Sequence, residues 1–372
     1  MRKQVLWCGV VLSLLAIGIV GIAGALSVEA AAPQWNEAAA AKYLDGRQAD
    51  WQEWDNSHRD HGTVCASCHT GASYGLARPQ LHKAMADQNQ SPAEQAFLAS
   101  LKKRVTLWAE VQPIYNDADD GPGKSVGSRN AESVLNAIIL ASYDRPSGHM
   151  SALTRTAFEN AWALQSKSGR DAGSWVWQNF NLAPWESNES QYHWAALMAM
   201  AVGTAPDNYR GDPKIAANLA SLTGYLKAKY SAQPLLNKIA ALWAAQTFPD
   251  VLDAKERAGL VAELDKLQHE DGGWALADLG PWGRRADGSP PETRSDGYAT
   301  ALIVLVREEG GASPTDAPIA RGLSWLERNQ DKTSGAWTAW SLNKKRDPSS
   351  MPGHFMSDAA TAYAVLALEK AK

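Results

Sequence analysis

The chain has 372 residues, a formal net charge of -4 and 16 Trp. That mild charge excludes the basic footprint of a nucleic-acid binder and the polybasic patch of a membrane-surface protein. The length allows one large domain or two ordinary ones, and three cysteines are too few for a disulfide framework.

Residues 1–30 read as a targeting segment. Arg2 and Lys3 precede an apolar run from Val5 to Leu26, and Ala30, Ala31 and Ala32 follow. The pattern predicts a signal peptide or an uncleaved N-terminal anchor, and so a periplasmic or otherwise exported protein. Cys8 lies early in the run and reads as a passive signal residue.

Residues 31–90 carry the sharpest motif, Thr63-Val64-Cys65-Ala66-Ser67-Cys68-His69-Thr70. Cys-x-x-Cys-His is the attachment pattern of a c-type haem. Two thiols on one short turn reach the two vinyl groups, and the next imidazole ligates the iron. The expectation is one covalent haem c on Cys65 and Cys68, with His69 as proximal ligand. A disulfide, a thioredoxin-like pair and half of a zinc site compete. The chain shows neither βαβ alternation nor a second cysteine pair. His61 is the sixth-ligand candidate among His58, His61, His82, Met85 and the more distant Met150, His193 and Met356. A five-coordinate iron is the other option. Trp51 and Trp54 are placed to cover the porphyrin edge.

From about Ser91 the chain is helical and repetitive. Segments 259–274 and 321–337 each read as an amphipathic helix, a Gln, a short polar loop and Gly-x-Trp. Gln268 and Gln330 are about 62 residues apart, and Trp274 and Trp337 keep nearly that interval. A third copy runs from Ala161 through Gln165 to Trp175. The segments from Ser295 and Ser357 begin with a Ser-Asp cap and continue small and apolar, so they should be buried helices. Ser128–Ala141 and Gln191–Ala201 look like earlier copies, and 213–229 with 234–246 makes a further pair. Such units bury their faces only by stacking. The expectation is all-α: an α/α toroid of about five helix pairs over 91–372, behind an N-terminal haem-bearing segment.

The Gln…Gly-x-Trp loops resemble the QW repeats of the squalene–hopene cyclase and prenyltransferase superfamily, over about residues 90–372. The resemblance implies an α/α toroid in which Gln268 with Trp274, and Gln330 with Trp337, tie each loop to the next outer helix. The segment from Cys65 to Pro79 resembles that of exported bacterial proteins joining a c-type site to such a toroid. Cyclases of this type use an Asp-x-Asp-Asp acid, and Asp117-Ala118-Asp119-Asp120 matches it, with Asp119 and Asp120 as catalytic candidates. The register departs from the family, where the motif opens an inner helix at the place filled here by Asp296 to Thr300. Asp-Asp-Gly-Pro-Gly reads as a turn. Arg129 and Glu132 are placed to line the ring's mouth, and His193 and Trp194 to face its interior.

The leading expectation is therefore an exported haem protein with an electron-transfer or oxidoreductase role and a periplasmic redox partner. The alternatives are a terpenoid or lipid cyclase-like enzyme or binder, holding an apolar small molecule in the toroid, and a haem-based sensor without turnover. Cyclase chemistry is disfavoured by the short chain and by export.

Overall fold

The computed structural model describes residues 35–372. The expected signal or anchor segment, residues 1–30, lies outside the described residues. Among the described residues no helix is long and apolar enough to cross a membrane.

The helices are α1 Glu37–Glu53, α2 Gly71–Ala84, α3 Pro92–Thr106, the short α4 Asp117–Asp120, α5 Lys124–Asp144, α6 Ala152–Leu164 and α7 Ser190–Thr204. They continue as α8 Ala216–Lys229, α9 Leu235–Ala244, α10 Ala254–Lys266, α11 Gly297–Glu309, α12 Ala317–Asn329 and α13 Met351–Lys370. Local chemistry sets their starts. Asn36, Ser91, Ser151, Asp296 and Ser350 accept a backbone N–H of the first turn, and Asp253 with Glu256 forms a reciprocal capping box. A two-residue hairpin, β1 His58–Arg59 against β2 Thr63–Val64, leads into the Cys65 loop.

Six helices form a closed inner ring. α2 packs on α5, α5 on α7, α7 on α9, α9 on α11, α11 on α13, and α13 back on α2. Their residues are buried nearly all round, as in α7, where every residue from Tyr192 to Val202 is buried. The outer helices α1, α3, α6, α8, α10 and α12 bury one face each, as α12 does with Ile319, Gly322, Leu323, Trp325 and Leu326. The all-α toroid expectation therefore holds.

Five pairs lie within residues 91–372 as expected, α3 with α5, α6 with α7, α8 with α9, α10 with α11 and α12 with α13, and α1 with α2 adds a sixth. The expected separate segment 31–90 is part of the ring. Its inner helix escaped notice because α2 is rich in Gly, Ala and Ser, with a weak apolar run. Small residues are needed there: a Cβ at Gly75 would stand 2.6 Å from Ile139 of α5.

Three clamps of one geometry lace the outer ring. Gln165 Nε2 donates to Gly173 O at 2.9 Å and to Asn218 O at 3.1 Å. Gln268 Nε2 donates to Gly272 O and Pro318 O, both at 2.8 Å. Gln330 Nε2 donates to Gly335 O at 2.9 Å and Asn36 O at 3.0 Å. Each second acceptor lies at the start of the next outer helix: α8, α12 and, across the ring closure, α1. The partner indoles are buried and donate back to their own outer helix: Trp175 to Ala161 O at 2.6 Å, Trp274 to Leu264 O and Trp337 to Leu326 O, both at 2.7 Å. The loop glycines Gly173, Gly272 and Gly335 all have left-handed φ, between 82° and 97°. At Gly335 a Cβ would meet the backbone of Ala39 at 2.4 Å, so the clamp admits no side chain there.

Trp337→Ala should destabilise the fold by about 3–5 kcal/mol, through lost burial and a lost hydrogen bond. Gln330→Ala, which opens the ring closure, should cost about 1–3 kcal/mol. Urea unfolding followed by circular dichroism measures both, and an unchanged midpoint for Gln330→Ala would remove its closing role.

Candidate functional site

The two ends of the ring differ. At the end where the inner helices begin, the loop between β2 and α2 brings Cys65, Cys68 and His69 together. Trp51 Nε1 donates to Cys65 O at 2.7 Å, and Ser67, with φ +51°, bends the intervening residues. Cys65, Cys68, Tyr115, Glu132, Gln178 and Glu186 border one cavity of about 20 Å³. Gln178 Nε2 donates to Glu186 Oε1 at 2.9 Å and lies 4.0 Å from Cys68 Sγ. Burial pushes the Glu186 carboxyl up to about 7. It also pushes the Cys65 and Cys68 thiols up, so only a small fraction of either is thiolate at neutral pH and any exchange at this loop is slow.

His69 is wedged among aromatic rings, stacked on Phe355 at 3.6 Å and edge-on to Trp51 at 5.0 Å. The Thr70 backbone N–H donates to His69 Nδ1 at 2.9 Å, and Thr70 Oγ1 donates to Asp358 Oδ2 at 2.7 Å. Burial, with the charge of Arg47 nearby, lowers the His69 pKa to about 3.

In this packing the loop leaves no haem-sized space beside Cys65 and Cys68. A cavity of about 20 Å³ admits about one water, whereas a ligand of cofactor size needs about 300 Å³ or more. His61, the expected sixth ligand, is exposed and held by Asp60 through Nδ1 at 2.9 Å.

Other predicted residues have structural roles. Asp119 and Asp120 sit in exposed α4, capped by Asn116 Oδ1, whose contact with the Asp119 N–H is 2.9 Å. They are on the protein's outside and border neither cavity. Asp296, at the family's motif position, is a buried cap that accepts from Ala299 N at 2.9 Å and Leu276 N at 2.6 Å. Glu132 pairs with buried Arg104, and Arg129 stacks on Trp108 at 3.8 Å, so neither lines a mouth. His193 is buried on α7 beside Trp194, which stacks on Trp177 at 5.3 Å.

At the opposite end, where the inner helices finish, the ring opens into a cavity of about 1160 Å³. Ile138, Met200, Trp243, Leu305 and Leu366 form its apolar wall; Glu94, Glu309 and Glu369 supply carboxylates; Lys83, Arg145 and Lys370 supply cations. His82 Nε2 lies 2.8 Å from Glu94, whose side chain is wholly buried. Lys370 pairs with Glu309 at 3.5 Å. Burial raises the Glu369 carboxyl, although Lys372, 2.9 Å away, opposes this. Behind them Glu308 is buried with both carboxylate oxygens unpartnered, and burial lifts it to about 8. The sequence reading missed these residues. Their signal was present: Arg307-Glu308-Glu309 and Glu369-Lys370 end helices that are otherwise apolar all round, so those charges must sit at the ring's mouth.

No protein-family model matches the chain, and no curated protein matches it. One similar solved structure is titled as the GH76A alpha-1,6-mannanase from Salegentibacter sp. HEL1_6. At 12% identity and a TM-score of 0.49, the alignment covers 90% of this chain and 99% of that one. The likeness concerns the helical ring alone.

The expectation of a haem electron-transfer or oxidoreductase protein, with its cyclase-like and haem-sensor alternatives, is corrected. Among the described residues no group of three or more His, Cys, Asp or Glu could hold a metal ion. As it is packed, the Cys65–His69 loop leaves a cavity of about 20 Å³ beside the two sulfurs.

Buried His193 gives a pH signature. Desolvation holds its pKa near 4, against about 6.5 when unfolded. The unfolded state therefore binds the proton first, and stability present above pH 6.5 is lost as the pH falls toward 4, by up to about 1.4 kcal/mol per pH unit. His193→Gln should flatten that slope in urea titrations at pH 7, 6, 5 and 4.

Proposed function

We propose that this chain is a carbohydrate-active protein that takes a neutral, hydroxyl-rich ligand into the mouth at the finishing end of the inner ring, with glycosidic hydrolysis as its chemistry. One observation carries the reading: the cavity of about 1160 Å³ into which carboxylates from neighbouring inner helices converge. Its volume is that of an extended ligand site, a little above the usual range for a single small molecule.

The electrostatics favour donors over anions. α2, α5, α7, α9, α11 and α13 all direct their C-terminal turns at this cavity, and helix C-termini carry partial negative charge. Glu94, Glu309 and Glu369 add acceptors. Hydroxyl hydrogens satisfy such a surface, while Trp243, Leu305 and Met200 offer the apolar wall on which the C–H face of a sugar rests.

Glu369 and Glu309, on the adjacent helices α13 and α11, are the acid and base pair. Glycoside hydrolysis uses one protonated and one ionised carboxyl. Burial raises Glu369 toward the acid role, and Glu309 lies 3.5 Å from the Lys370 ammonium.

The test is release of reducing ends from a panel of neutral oligosaccharides by the full chain. Wild type should hydrolyse at least one linkage class. Glu369→Gln and Glu309→Gln should each lower kcat by about a hundredfold or more. Trp243→Ala should raise KM about tenfold with a smaller change in kcat. A wild type that neither binds nor cleaves any of the panel, or wild-type rates in either Glu variant, would end the reading.

A further inference from the structure

The Cys65–Cys68 loop has no part in the cavity at the finishing end of the ring. We propose that Cys65 and Cys68 are a buried dithiol–disulfide couple, exchanging with small disulfides at the starting end of the ring, independently of the cavity at the other end.

Four observations support this. Both side chains border the same cavity of about 20 Å³, too small for anything but a water between them. The left-handed φ of Ser67 folds the two intervening residues tightly enough for the Ser67 N–H to lie 3.4 Å from Cys65 Sγ. The two residues are unequally placed: Cys65 is half-buried, whereas Cys68 is 4% exposed. Behind Cys68, Gln178 and Glu186 form a polar pair in an otherwise closed pocket, and Glu186 borders the same cavity as both sulfurs.

The geometry gives each group a part. Cys65, the less buried of the two residues, loses its proton to solvent and attacks an incoming small disulfide R–S–S–R. A Cys65–S–S–R bond forms, and R–S⁻ leaves and is protonated by solvent. Cys68 then passes its proton across the shared cavity to the Glu186 carboxylate and attacks Cys65 Sγ. The Cys65–Cys68 bond forms and the second R–S⁻ leaves. Two thiols are oxidised and one small disulfide is reduced to two thiols, so atoms and electrons balance. Gln178 Nε2 holds Glu186 in place and offers its other hydrogen to the Cys68 sulfur as charge develops there. Burial of Cys68 makes the second step slow, which gives the mixed disulfide a measurable lifetime.

The experiment uses the full chain, incubated over a range of oxidised to reduced glutathione, trapped with an alkylating reagent and weighed intact. The expected result is a transition between two alkylated cysteines and none, at residues 65 and 68, through a glutathione adduct on Cys65 alone. Glu186→Gln should prolong that adduct about tenfold or more without moving the equilibrium midpoint by a comparable factor. Cys68→Ser should hold the adduct permanently, which separates a resolving role from a folding defect. Two alkylated cysteines at every glutathione ratio, an adduct on Cys68 first, or a covalent macrocycle on both sulfurs of the isolated protein would each overturn the proposal. Equal adduct lifetimes in wild type and Glu186→Gln would overturn the assignment of Glu186 as proton acceptor.

Discussion

Closure of the inner ring is the constraint on which the rest of the molecule depends. Six helices that are apolar on nearly every side have no stable arrangement as an open row, because the two end helices would each leave a face in water. The chain solves this by bringing its beginning to its end. α13 packs on α2, and Gln330, behind the last outer helix, accepts from Asn36 N at 2.7 Å and donates to Asn36 O. The Gln165 and Gln268 clamps are the same device at internal joints. A clamp that elsewhere only tightens a loop is, at Gln330, what turns a row of helices into a ring.

Closure also brings together charges that are distant in sequence. Asp358 of α13 is 1% exposed and accepts from Arg47 Nε and Tyr43 Oη, both at 2.9 Å, and from Thr70 Oγ1. One carboxylate thus joins α1, the Cys65 loop and α13. A buried ion pair of this kind contributes little net stability, because desolvation of both ions offsets their attraction, but losing one partner is costly. Its value here is positional. Thr70 is held by Asp358, and Thr70 in turn fixes the ring of His69, so the shape of the cysteine loop is a consequence of ring closure.

Much of this was legible in the sequence, and the failures have identifiable causes. The Gln…Gly-x-Trp loops were legible because a buried indole, a loop glycine and an amide must recur together for the clamp to form. α2 was not, because its packing uses absent side chains: Gly71 and Gly75 lie against Ala66 and Ile139, and close approach leaves no apolar run to read. Cys65-x-x-Cys68-His69 was legible as a thiol motif. Whether a macrocycle fits beside it depends on Phe355 and Trp185, which come from remote parts of the chain and pack against His69 at 3.6 and 5.9 Å. No local spacing encodes that. Asp119 and Asp120 matched a motif in letters while their Gly-Pro-Gly context placed them in solvent, and there the turn chemistry was the better guide.

Loop length decides which end of the ring is available for chemistry. The connections from outer to inner helices are long where they carry the clamps, at residues 165–189, 267–296 and 330–350, and they fold over the starting end of the ring. They bring Trp185 against Tyr298 at 5.8 Å, Tyr298 meets Tyr363 at 5.4 Å, and that end is filled with aromatic rings. The connections from inner to outer helices at residues 145–151, 205–215, 245–253 and 310–316 are short. Short turns cannot reach over the ring's axis, so the finishing end stays open and its helix C-termini face solvent across a wide mouth. The clamps that stabilise the toroid therefore also determine its polarity. Residues needed for stability gather at the starting end, and freedom to bind is left at the other, where carboxylates can end the inner helices without being buried in the core.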